Sequence, residues 1–397
     1  MSRILFLVFF IVLSIECKSQ KLSEQSEIAV VTIGPNPVQI YTAFGHSGFR
    51  VYDPKLGIDW FYNYGVFDFN QPNFELNFAR GKNLYKLGIE EYKNVKKRYT
   101  SWNQSITEQY LSFDLEQKQA LFNFLQNNAK PENASYYYKY ISDNCATRMR
   151  DVVNNVLEGK VQYDYSYATE ALTYRQLMDL YLENQQWGDL GIDICLGSQI
   201  DIKADANGYM FLPDFVLKAF DKATIIEGGN SRPLVKKTEE VFHGNGIDGF
   251  RMPFSPFTLF VVVFFVIGFL THRSIKYGVR NKWLDVLLYG VTGIVGLLLL
   301  ILWFGTDHLS AYNFNLIWAM PLNLVALVFM FKENRAPAWK FYYLSYGMTL
   351  MLNIVFRELL PQQLHMALVP LVLGLAIRSF YLYFDMRRKE RGDRFIL

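Results

Sequence analysis

Five apolar runs crowd the C-terminal part of this 397-residue chain and constrain its fold more than any other feature: Phe254 to Thr271, Trp283 to Phe304, Phe314 to Phe331, Phe341 to Phe356 and His365 to Phe384. Each approaches the roughly 20 residues a helix needs to cross bilayer hydrocarbon. None carries the polar face that a helix on a water-soluble core turns to solvent. The expectation is an α-helical membrane domain of five spans over 254–397. From Gln20 to about Pro253 the composition is mixed and rich in turn residues, and the stretch is long enough to bury its own core. The mean hydropathy of +0.05 averages two unlike parts.

Lys and Arg are retained on the cytoplasmic side of a membrane, so the loops fix an orientation. Arg273, Lys276, Arg280 and Lys282 lie between the first two runs, Lys332, Arg335 and Lys340 between the third and fourth, and Arg387, Arg388, Lys389, Arg391 and Arg394 in the tail. The alternate loops offer only Arg357. An odd number of spans that ends inside begins outside, so residues 20–253 are expected to be exported. The amino terminus agrees: Arg3, an apolar run from Ile4 to Ile15 and Ser19 read as a signal peptide over 1–19, with a lipid-bearing Cys17 or an uncleaved anchor as the alternatives. In a bacterium this puts the soluble domain in the periplasm and its anchor in the inner (cytoplasmic) membrane; in a eukaryote the domain would be lumenal. Arg378, inside the last run, is expected to snorkel to the cytoplasmic end. With 40 Lys+Arg against 37 Asp+Glu and three cysteines, neither a charge-driven nucleic-acid binder nor a small disulfide scaffold is expected.

Within the soluble part, Glu27 to Ile33 and Gly45 to Tyr52 read as strands, and Asp53 to Gly57 turns the second into a hairpin partner at Ile58 to Tyr64. Leu115 to Asn127, Asn144 to Val156, Tyr174 to Asn184 and Pro213 to Ala223 have helical spacing. The class is α+β.

Chemistry-bearing residues are scarce: two histidines, His46 and His243, and two cysteines, Cys145 and Cys195, in the mature soluble part. A zinc site would need nearly all of them without the usual close spacing, so no metal is expected. A thiol–imidazole dyad needs one of each. Cys145 follows Asp143 and Asn144, good helix caps, so it falls in a first helical turn, where free N–H groups and the helix dipole favour a thiolate and could hold an oxyanion. His46 opens a strand between Gly45 and Ser47-Gly48, where little side-chain bulk blocks access to a cleft. Hairpin geometry brings Asn63, Tyr64 and Gly65 beside it, so Asn63 or Tyr64 orients the ring; Tyr64 is carried forward as the orienter. Asn144 and Arg148 flank the sulfur as candidate substrate-binding residues. The competing account is a structural disulfide between Cys145 and Cys195; otherwise Cys195 reads as a buried small residue. Tyr136, Tyr137 and Tyr138 read as packing.

Taken together, Tyr41-Thr42-Ala43-Phe44-Gly45-His46-Ser47, Tyr62-Asn63-Tyr64-Gly65-Val66-Phe67-Asp68-Phe69, Phe78-Ala79-Arg80-Gly81, Asp143-Asn144-Cys145-Ala146-Thr147-Arg148 and Phe211-Leu212-Pro213-Asp214, followed by the apolar runs, resemble the Bacteroides-type lipoprotein N-acyltransferase (Lnb) family. The resemblance implies a circularly permuted papain-like fold, as in NlpC peptidases and lecithin retinol acyltransferases, with His46 and Cys145 in the catalytic roles and no cofactor. It also implies apolipoprotein and phospholipid as substrates, the acyl chain passing through a Cys145 thioester to the amine of a lipid-bearing N-terminal cysteine. Two rivals keep the residues but change the function. One is a cell-wall or amide hydrolase with the same dyad, the other a non-catalytic membrane scaffold stapled by Cys145–Cys195.

Overall fold

A computed structural model describes residues 20–67, 71–82, 84–245, 253–331 and 338–391; the expected signal segment 1–19 lies outside the described residues. An antiparallel sheet of seven strands organises the soluble part: β1 (Glu27–Ile33), β2 (His46–Asp53), β3 (Ile58–Val66), β4 (Leu84–Glu91), β5 (Ile106–Leu111), β6 (Ser135–Tyr137) and β7 (Val235–Phe242). Their order is β7-β5-β1-β2-β3-β4-β6. The expected hairpin forms with Phe49 opposite Tyr62 and Asp53 opposite Ile58.

Central strand β1 reads Glu-Ile-Ala-Val-Val-Thr-Ile and is buried on both faces, the pattern of a strand covered on both sides. Side chains alternate between those faces. Ile28 and Val30 join a large core with helices α2 (Leu115–Asn128), α3 (Cys145–Val156) and α6 (Pro213–Lys222). Val31 and Ile33 join a smaller core with helix α1 (Tyr92–Ser101). Helices α4 (Tyr174–Leu182) and α5 (Gln186–Cys195) extend the domain toward the membrane region.

Beyond Pro256 the chain is helical: α7 (Pro256–Tyr277), α8 (Lys282–Gly305), α9 (Leu322–Met330), α10 (Ala338–Val355) and α11 (Leu368–Arg391). Three of these, α7, α8 and α11, are long and apolar enough to cross a membrane. The third run is broken: a 3-10 turn at Phe314–Ile317 precedes Pro321, and α9 continues for only nine residues. Pro321 has no N–H to give and ends the preceding turn. Arg378 differs from expectation. It is fully buried, pairs with Asp285 at 2.6 Å, and also donates to Thr271 Oγ1 and the Asn281 carbonyl, so packing against α7 and α8 replaces the snorkel.

The soluble domain rests on the loops between α8 and α9 and before α11. Gly197 N–H donates to the Leu309 carbonyl at 2.8 Å, Asn315 Nδ2 to the Asp193 carbonyl at 2.8 Å and Gln362 Nε2 to the Leu196 carbonyl at 2.9 Å. The helix ends poor in Lys and Arg are therefore those that face this domain, as the loop charges require.

Candidate active site

Alternation along the sheet decides what surrounds His46. Phe49 and Val51 of β2 face the large core with α3, so Arg50 faces the other side, toward α1, and His46, the first residue of the strand, sits at the sheet end between Asn63 on that side and Cys145 at the start of α3. On β3 the same rule puts Tyr62 and Tyr64 in the large core and Asn63 on the side of His46. Gly45, at φ +76°, makes the turn into β2 so closely that a Cβ would lie 2.5 Å from the Ile33 carbonyl oxygen, which only glycine tolerates.

The expected orienter, Tyr64, is therefore replaced by Asn63. His46 Nε2 meets Asn63 Oδ1 at 2.7 Å, and Asn63 Nδ2 donates to Glu90 Oε1 at 3.0 Å. Because that amide nitrogen is committed to a carboxylate, the Asn63 oxygen accepts and His46 Nε2 carries the proton. Glu90 is clamped by Arg98 at 2.8 Å and is held below its ordinary range: burial pushes it up, but the hydrogen bonds from Arg98 and Asn63 outweigh that. Tyr64 instead donates to Asn128 Oδ1 at 2.6 Å from inside the core. We expect Asn63→Ala to lower any activity of the thiol–imidazole pair by about 10²-fold, since a mispositioned ring loses that much. Tyr64→Phe should leave the rate within about twofold while losing about 1 kcal/mol of stability with its hydrogen bond; a rate assay beside thermal unfolding checks both.

Cys145 opens α3 as expected. It is a free thiol, 6% exposed, and lies beside His46, the Ser47 backbone N–H and Tyr138, whose charge and hydrogen-bonding capacity act on the sulfur. Burial pushes its pKa up, but the His46 charge and this hydrogen bonding pull it net below the ordinary thiol value. Burial likewise pulls His46 down, and the Cys145 charge and the hydrogen bonding of the protonated ring to Cys145 and Asn63 raise it net. Both shifts favour thiolate with imidazolium. Tyr138, expected to be simple packing, is part of this cluster. Its signal in the sequence was only its place in an aromatic run before the cysteine.

Asn144 does not reach for substrate. Its Oδ1 accepts from the Ala146 and Thr147 amides at 2.9 Å each, and its Nδ2 donates to the Tyr140 and Phe211 carbonyls at 2.7 and 2.8 Å. With Thr147 it forms a reciprocal helix cap. Two first-turn amides are thus consumed, and among the described residues the Cys145 N–H is left to receive an oxyanion. Arg148 pairs with Asp143 at 2.5 Å, lies over the Tyr136 ring and lines a cavity of about 320 Å³ with Lys139, Ser142 and Asn155.

The Cys145–Cys195 disulfide does not form. Both thiols are free, and Cys195 is exposed rather than buried, at the end of α5 beside the loops of the membrane region. His243 pairs with Glu240 on the exposed strand β7. Away from the dyad, ligand atoms of Asp189, Asp193 and His365 come within 4.8 Å of one another. Asp193 pairs with Arg175 at 2.5 Å and Asp189 Oδ2 with His365 Nε2 at 3.2 Å, and these contacts tie α4 and α5 to the start of α11.

No curated protein and no solved structure matches the chain. Two family models do: residues 21–180 match the Lnb N-terminal periplasmic domain, and residues 248–390 match the Lnb transmembrane domain. A sheet carrying His46 and Asn63, a helix that starts at Cys145 and a helical membrane region docked beneath them lie within these two matches, and the chain belongs to the Lnb family.

Proposed function

We propose that this chain is a cysteine-dependent lipoprotein N-acyltransferase of the bacterial inner membrane, with residues 1–19 as signal peptide, 20–253 as periplasmic catalytic domain of permuted papain-like type, and 254–397 as a five-span membrane domain. Family membership points to lipoprotein N-acylation. The observation that carries the chemistry is the Cys145 thiol at a helix start beside His46, itself oriented by Asn63.

The Cys145 thiolate attacks an ester carbonyl of a phospholipid, and the Cys145 N–H stabilises the oxyanion. As the tetrahedral intermediate collapses, imidazolium His46 gives its proton to the departing glyceryl oxygen, leaving lysophospholipid and an acyl thioester. The free amine of the lipoprotein's N-terminal cysteine then attacks the thioester. His46 takes the amine proton, the C–S bond breaks and an amide remains. Both substrates are lipids held in a bilayer, which accounts for a membrane domain larger than a single anchor.

The test is to incubate the full-length protein in vesicles with phospholipid carrying a labelled acyl chain. Hydroxylamine-sensitive label on Cys145, chased onto a diacylglyceryl-cysteine peptide when that peptide is added, is the expected result. Label released only as free fatty acid would instead make the dyad a hydrolase, and no label on Cys145 would end the thioester mechanism.

A further inference from the structure

Aromatic rings form a closed circuit beside Cys145, and its two arms come from different parts of the protein. Tyr138, beside the Cys145 sulfur, is their common origin. On one side it stacks on Tyr85 with centroids 4.6 Å apart, and the path continues through Phe67 at 5.3 Å and Phe74 at 6.3 Å to Phe78 at 6.0 Å. On the other side Tyr138 meets Tyr140 at 6.5 Å, which stacks at 6.1 Å on His308. His308 Nε2 lies 3.1 Å from the Phe78 carbonyl oxygen and closes the ring.

His308 belongs to the membrane region. It follows the end of α8 by one turn, just after Trp303, a residue type that collects at the membrane–water boundary. Its loop fits because position 81 is glycine: a Cβ there would lie 2.9 Å from the His308 backbone nitrogen. The Asp307 N–H is also bonded to the Arg80 carbonyl at 2.8 Å. Phe78 and Tyr140 remain substantially exposed, at 48% and 39%, so the circuit presents apolar faces rather than burying them in a core. Exposed Arg80 and Lys82 follow directly, and no carboxylate pairs with either among the described residues.

We infer that this aromatic surface binds the phospholipid donor, holding its transferred acyl chain against the rings with its phosphate toward Arg80 and Lys82. The inference rests on the proposed acyl transfer and names where the donor lies. The donor is favoured over the lipids of the acceptor because the acyl chain bonded to the Cys145 sulfur starts beside Tyr138, from which both aromatic arms run. A run of π faces suits methylene chains, which need apolar surface and no hydrogen-bond partners.

The experiment uses the full-length protein in vesicles holding equal amounts of two phosphatidylethanolamines, one with 12-carbon and one with 16-carbon chains. Mass spectrometry of the Cys145 peptide gives the ratio of the two thioesters. Phe74→Ala and Phe78→Ala are expected to shift that ratio by about tenfold, since a few methylenes in an apolar site discriminate that strongly. An unchanged ratio with normal thioester yield overturns the inference and leaves the transferase reading intact, whereas no thioester on the wild-type protein defeats both. As a check independent of variant folding, a phospholipid with a diazirine near its acyl terminus is photolysed on the wild-type protein. Adducts at 74–85, 138–140 or 308 are expected, and adducts confined to α7, α10 and α11 overturn the inference.

Discussion

Replacing Cys145 with Ala or His46 with Ala is expected to lower lipoprotein N-acylation by at least about 10⁴-fold, and the double replacement should be no worse than either single one. The non-additivity follows from the geometry: thiol and imidazole act as one unit, so either loss removes nucleophile activation entirely. Intact-mass analysis of lipoprotein amino termini, in cells that depend on this protein, reads the outcome. Persisting N-acylation in either variant would remove the dyad from the mechanism.

The ionisation of the pair adds a check that does not depend on substrate. His46 lowers the Cys145 pKa through its charge and hydrogen bond, against the upward push of burial. Without the ring, burial dominates and the thiol rises. Iodoacetamide should therefore alkylate Cys145 at pH 7 about tenfold more slowly in His46→Ala for each unit of that rise. The rate–pH curve should move to higher pH; a curve that stays in place would mean that the helix start, and not the histidine, sets the thiolate.

Arg175→Ala should be the most destabilising single change in the soluble domain. The guanidinium is completely buried. It donates to Asp193 at 2.5 Å, to both oxygens of Asp201 at 2.9 Å, and to the Leu196 and Gly197 carbonyls at 3.2 and 3.3 Å. Removing it strands two nearly buried carboxylates, for which a cost of about 3–5 kcal/mol, near 10 °C in thermal midpoint, is expected. The segment Arg175 holds is the one whose carbonyls receive Asn313, Asn315 and Gln362, so docking onto the membrane loops should loosen as well. Thermal unfolding in detergent with limited proteolysis between residues 180 and 260 measures both; a midpoint within about 2 °C of wild type would show that the carboxylates find other partners.

Much of this architecture is legible in the sequence. Hydropathy located the helical membrane region because lipid requires long apolar helices whose backbone bonds are internal. The same rule was too coarse for the third run, where Pro321 breaks the helix, and for Arg378, whose partner Asp285 lies 93 positions away. Cys145 stood out because a cap directly preceded it, a local pattern that survives folding. Arg175 gave no signal, because its partners Asp193 and Asp201 are set by the packing of α4 against α5.

The sequence by itself determined an α+β domain joined to a helical membrane region, and it singled out one thiol and one imidazole by scarcity and by neighbours within a helical turn or a strand. Tertiary structure decided everything that depended on register. Asn63 rather than Tyr64 reaches His46 because adjacent strand residues point to opposite faces, so a shift of one position exchanges a core tyrosine for an orienting amide. It also spent Asn144 on a cap, left Cys195 without a disulfide partner and brought Tyr138 and His308 to either side of Tyr140, since which distant groups meet is fixed by how sheet, helices and membrane loops pack and not by any local pattern.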